Sequence, residues 1–212
     1  MKEYPIDLHR FRAAVDSMSA LPAEPGHILL YGSSFFTNWK KAKEQMLTAS
    51  GGKYHVVNRG FGGATADELM YFYHKLVTPN APKVMITRIG ANDIFRGFTP
   101  KEAWDMTWRL LEFVRADYPD IKLILFSVFD YKSAKENNRP LFAEFNAFQK
   151  EYAEQTENVR YLDISDFFYE KPENVGTFEG FRDIFKEDGL HLLDPAYEEF
   201  AAYLTEKLDG IL

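Results

Sequence analysis

Two serines and a distant Asp-x-x-His are the residues of this chain best suited to covalent chemistry. Ser33 and Ser34 stand in Tyr31-Gly32-Ser33-Ser34-Phe35, directly after the apolar run Ile28-Leu29-Leu30-Tyr31. A serine hydroxyl at such a break can attack a carbonyl once a base takes its proton, or it can cap the helix that follows. Near the other end, Asp188-Gly189-Leu190-His191 supplies a candidate base and a carboxylate to orient it. On a turn, the carboxylate can meet one ring nitrogen and leave the other facing a hydroxyl. An isolated Asp-x-x-His is a short motif that many chains match by chance, so its meaning depends on what stands beside it.

The elements around these residues must bring them together. Leu8, Phe11, Ala14, Val15 and Met18 share one helical face, and Leu21-Pro22-Ala23-Glu24-Pro25-Gly26 ends that helix. The strand of Ile28 to Tyr31 follows, then a helix from Trp39 to Leu47 stopped by Gly51-Gly52. Tyr54 to Asn58 reads as a second strand, entering Arg59-Gly60-Phe61-Gly62-Gly63-Ala64-Thr65, and Ala66 to Leu76 as a helix. Val84 to Ile89 is a third strand, ending at Gly90-Ala91-Asn92-Asp93. Pro100 to Tyr118 is a long helix with Thr99 as its cap. Ile121 to Val128, Pro140 to Gln155, Val159 to Ile164 and Pro195 to Leu208 continue as strand, helix, strand and helix.

Continuous apolar strands alternating with helices predict a parallel sheet covered on both faces. Right-handed crossovers then set the turns holding Ser34, Gly63 and Asn92 along one sheet edge, where ligands of such folds bind. The irregular stretches 129–139 and 167–187 are candidate loops around a site.

Composition narrows the options. At 212 residues and 46% hydrophobic content the chain suits one well-cored domain over 1–212, with 1–26 as an N-terminal helix and lead-in. A net charge of -7 and a pI near 5.3 argue against a nucleic acid or an anionic membrane as the main partner. The lack of cysteine removes disulfides, thiol nucleophiles and thiolate metal sites. The charged N-terminus has no signal-peptide core, and no run approaches membrane-spanning length, so a cytoplasmic protein without membrane insertion is expected. His9, His27, His55, His74 and His191 show no paired ligand spacing, so no metal or other cofactor is expected.

With these blocks in view, the chain resembles the SGNH, or GDSL-type, hydrolase family. Gly32-Ser33-Ser34 matches the first block, Gly60 to Thr65 the second, Gly90-Ala91-Asn92-Asp93 the third and Asp188-Gly189-Leu190-His191 the last. The matches run in order from about residue 28 to the C-terminus. One departure is Ser33, where the GDSL name has aspartate. The resemblance implies a flavodoxin-like three-layer α/β/α sandwich with a five-stranded parallel sheet. It also implies a catalytic triad of Ser34, Asp188 and His191, with an oxyanion hole from the Ser34 and Gly63 amides and the Asn92 side chain. The expected reaction is cleavage of a small carboxylic ester, of a short acyl or acetyl group and carbohydrate esters among them, through an acyl-enzyme on Ser34.

Other readings use the same residues. Acyl transfer to an alcohol needs only that water be excluded, and a binding module would keep the fold without turnover. A dinucleotide loop at Gly60 to Thr65 lacks its third glycine, replaced by Thr65, and Val84 to Ile89 offers no acidic residue for a ribose. Ser34 also lacks the Gly-x-Ser-x-Gly frame of the nucleophile-elbow hydrolases. Phe35, Phe36, Trp39, Phe95 and Phe98 follow the motif turns and are expected mostly to pack beneath them. Arg88 and Arg96 flank the Asn92 turn and receive no role.

Overall fold

A computed structural model describes residues 9–128, 132–133 and 136–212. Five strands, β1 (Ile28–Gly32), β2 (Val56–Asn58), β3 (Val84–Arg88), β4 (Lys122–Phe126) and β5 (Val159–Leu162), form one parallel sheet. Their order is β2-β1-β3-β4-β5, with β1 central enough to pair with both β2 and β3. Every residue of β1 is buried, and so are the last four of β3 and of β4. Strands buried on both faces need apolar side chains at successive positions, which accounts for the unalternating runs in the sequence. Removing a side chain such as Leu30 from water is worth about 2 kcal/mol, and Leu30 is fully buried.

Among the described residues the helices are α1 (Arg12–Ser19), α2 (Ser34–Thr37), α3 (Ala42–Ala49), α4 (Ala66–Leu76), α5 (Ala91–Phe95), α6 (Pro100–Asp117), α7 (Arg139–Gln155) and α8 (Asp194–Asp209). α3 and α8 pack together in one layer, and α1, α4, α6 and α7 follow one another in the other. The result is the parallel sheet covered on both faces that the strand and helix alternation predicts, in the three-layer, flavodoxin-like form that the family resemblance implies. No helix among the described residues is long and apolar enough to cross a membrane.

Two segments read as turns are short helices. Ser34 opens α2 and Asn92 lies in the first turn of α5. Both are too short to show a 3.6-residue pattern, and tertiary contacts hold them. The Asn58 side chain donates to the Phe36 and Trp39 carbonyls at 2.7 and 3.2 Å, and the buried Tyr197 hydroxyl of α8 donates to the Phe35 carbonyl at 2.8 Å. At the amino end of the chain, the helix expected over 8–18 begins at Arg12; Leu8 lies outside the described residues. Part of the 129–139 loop likewise lies outside them. The 167–187 stretch is irregular but tied, with antiparallel bridges joining Tyr169 to Phe181 and Phe185 to Leu192.

Candidate active site

The carboxyl edge of the sheet carries the candidate residues. β1 runs into Gly32-Ser33, and the chain turns there into α2. A Cβ at Gly32 would sit 2.7 Å from the Arg88 carbonyl, so only glycine lets β1 and β3 end this close together. Ser33 precedes the helix without capping it through its side chain, which removes the simple capping role for that serine. The Ser34 amide, as the first in α2, has no intrahelical acceptor, and among the described residues it donates to nothing else.

Beside it runs the loop after β2. The Gly60 amide donates to the Asn58 side chain at 3.0 Å, and the Phe61 amide to the Gly32 carbonyl at 3.0 Å. Gly62 lies against Ser34, with 3.7 Å between a Cβ built on Gly62 and the serine Cβ. Gly63 takes φ +80°, and its amide donates no hydrogen bond among the described residues. From the next strand, the Asn92 side-chain amide donates to the Ala64 carbonyl at 2.8 Å. That bond ties α5 to the glycine loop and uses one of the two Nδ2 hydrogens, leaving a second for another acceptor.

The fourth part comes from the last irregular segment. The Phe185–Leu192 bridge and a Leu193 amide to Ile184 carbonyl bond of 2.8 Å clamp the base of a short loop. Gly189, at φ +62°, turns that loop so that Asp188 and His191 face each other. Asp188 Oδ1 accepts the Leu190 and His191 amides, both at 2.9 Å, and Oδ2 stands 2.7 Å from His191 Nδ1. Desolvation pushes the Asp188 carboxyl up, but these hydrogen bonds from His191 and Leu190 outweigh it and hold the group at about 2. An ionised carboxylate only accepts, so Nδ1 carries the proton and Nε2 of the neutral ring is a free base.

Ser34 and His191 line one small cavity with Phe35, Arg88, Leu190 and Tyr197. Its volume is about 10 Å³. The sequence-matched residues therefore group as Ser34 with His191 and Asp188, and as Gly63 with Asn92 through the Ala64 carbonyl. Arg88 is buried, with Nε donating to the Ser127 carbonyl at 3.2 Å and its guanidinium over the Phe35 ring. Arg96 is exposed. Phe35, Phe36 and Trp39 are core residues, whereas Phe95 is 44% exposed.

Sequence reasoning missed several supports of the site. Arg10 donates from Nη2 to the Gly63 carbonyl at 2.9 Å and grips the Glu68 carboxylate with Nε and Nη2. Glu68 is the third residue of α4 and closes a capping box with Thr65, a signal present in Thr65-Ala66-Asp67-Glu68. Nothing in the sequence marks Arg10 as its partner. Asp93, next to Asn92, is 3% exposed; one carboxylate oxygen accepts the Ala66 amide at 3.1 Å and the other has no partner. Burial pushes its carboxyl up to about 7.

Solved structures share this fold. A proposed platelet activating factor from Streptococcus pneumonia superposes with a TM-score of 0.71 at 20% identity, covering 93% of this chain and 89% of that one. A proposed acylhydrolase from Bacteroides fragilis NCTC 9343 gives 0.70 at 18% identity, covering 96% of each chain. A GDSL-like lipase from Bacteroides thetaiotaomicron VPI-5482 gives 0.69 at 16% identity, covering 97% of this chain and 100% of that one. These identities establish the fold alone. No curated protein matches the sequence. The family model of the GDSL-like Lipase/Acylhydrolase family matches residues 27–198, which takes in all four blocks, and the chain belongs to that family as an SGNH/GDSL-type esterase.

Proposed function

We propose that this chain, as one domain, hydrolyses small carboxylic esters through an acyl-enzyme on Ser34, with short acyl and acetyl esters, those of carbohydrates included, as its substrates. The main support is the 2.7 Å contact between Asp188 Oδ2 and His191 Nδ1 on a ring that shares a cavity with Ser34. Nε2 takes the Ser34 proton as Oγ bonds to the ester carbon, and Asp188 steadies the imidazolium. The carbonyl oxygen becomes an oxyanion, which accepts from the Ser34 and Gly63 amides and the second Asn92 hydrogen. The imidazolium then protonates the leaving alcohol. Water, deprotonated by Nε2, attacks the acyl-enzyme and releases the acid. As the acyl–oxygen bond breaks, the imidazolium returns its proton to Ser34 Oγ, so that ester and water are the only reactants besides this chain's own groups.

With its side chain 25% exposed, His191 is open to water, which favours hydrolysis over transfer. A series of p-nitrophenyl esters from acetate to octanoate, run beside acetylated xylose, tests the substrate assignment. The expected outcome is kcat/KM falling at least tenfold from acetate to octanoate, with acetate released from the sugar. A rise with chain length would contradict it.

A further inference from the structure

The opposite, amino-terminal edge of the sheet holds a group of side chains that the esterase chemistry leaves unused. β1 and β2 run parallel with Ile28 opposite Val56, so His27 and His55, one position earlier on each, stand side by side. The Ile28 amide to His55 carbonyl bond of 3.1 Å fixes that register at the strand entrance. The two rings stack with centroids 3.9 Å apart. Glu24 joins them from the preceding loop, with Oε2 2.9 Å from His55 Nε2.

That loop is anchored. The Glu24 amide donates to the Asn80 side chain at 3.1 Å, the Gly26 amide to the Asn80 and Ala81 carbonyls, and Arg59 to the Pro22 carbonyl at 2.8 Å. The ligand atoms of Glu24, His27 and His55 all lie within 4.8 Å of one another. We propose that Glu24, His27 and His55 form a binding site for a divalent transition-metal cation of the zinc type, separate from the Ser34 site.

Two imidazoles and a carboxylate make a donor set suited to zinc. Three features prepare it. His27 makes no hydrogen bond among the described residues, so its nitrogens are uncommitted. Both Lys43 and His55 engage Glu24 Oε2, leaving Oε1 without a partner among the described residues. A cavity of about 1000 Å³ opens beside the rings, between the starts of β1, β3 and β4, and provides an entry path.

Stacked rings direct their lone pairs along parallel planes, so binding requires one imidazole to rotate toward Glu24. Both are half-buried at a cavity wall, which permits that rotation. Lys43, 2.5 Å from the Glu24 carboxylate, competes with the metal for it.

The test is zinc titration of the chelator-stripped full chain, read by calorimetry and by melting temperature. The expected result is one zinc ion per chain with a raised Tm. Affinity should fall at least tenfold in His27→Gln and in His55→Gln, and rise in Lys43→Met, whose exposed substitution leaves both imidazoles in place. Absence of saturable binding by the wild type would overturn the proposal. So would zinc bound as tightly by the double His27→Gln, His55→Gln variant, which would put the ion elsewhere, or weaker binding by Lys43→Met.

Discussion

Two aspartates of the carboxyl edge lie in opposite environments, and each environment suits a different task. Asp188 is half-exposed, accepts three hydrogen bonds and stays ionised, as a carboxylate that orients a base must. Asp93 is buried behind Asn92 with one oxygen unpaired, and burial raises its carboxyl from 3.8 to about 7. A carboxyl whose folded value is raised stabilises the fold fully below its unfolded value and loses that contribution as pH climbs through the folded one. Asp93 therefore destabilises the protein progressively between about pH 4 and pH 7. A shift of that size corresponds to roughly 4 kcal/mol at most. Asp93→Asn cannot ionise, so urea melts of the two proteins should diverge in the variant's favour by a few kcal/mol from pH 4.5 to pH 8. A pH-independent difference would show that Asp93 titrates normally in the folded state.

Elements place these residues, and the short ones matter most. Gly90, at φ +98°, turns β3 into α5, and a Cβ there would lie 2.3 Å from the fully buried Phe145 ring. Gly90→Ala thus combines backbone strain with overpacking and should cost roughly 2–5 kcal/mol in a denaturant melt, with lower esterase activity as Asn92 shifts. A stability within 0.5 kcal/mol of wild type would contradict this placement. The regular elements are legible: the helical pattern over Ala66 to Leu76 coincides with α4, and the Thr99 cap with Pro100 opens α6 as its chemistry requires. Their signals are local, being periodicity, caps and apolar runs. α2 and α5 were not legible, because four or five residues show no period and their geometry comes from Asn58, Tyr197 and Phe145 far along the chain. The four blocks pointed to the candidate site, and the fold sets Ser34 and His191 beside one cavity and joins Asn92 to the glycine loop. Its brace from Arg10 to Gly63 and Glu68 spans more than fifty residues and left no trace in the sequence. The same holds at the other edge, where His27 and His55 meet only through the β1–β2 register.

On the scale of the whole molecule, the parallel sheet separates two kinds of chemistry. The carboxyl ends of β1 and β3 lead into the candidate serine site, and the amino ends of β1 to β4 border the histidine pair and its cavity. Because the sheet and its covering layers form one packed core, a substitution at one edge leaves the other in place, so zinc binding and ester cleavage can be tested independently. The account's central claim is that Ser34, and not its neighbour Ser33, becomes acylated. It is tested most directly by reacting the wild type, Ser34→Ala and Ser33→Ala with a fluorophosphonate and mapping the adduct by mass spectrometry, alongside p-nitrophenyl acetate turnover. The prediction is an adduct on Ser34 in the wild type and in Ser33→Ala. Ser34→Ala should give no adduct and show turnover lower by at least three orders of magnitude. An adduct on Ser33, or turnover that survives Ser34→Ala, would contradict the account.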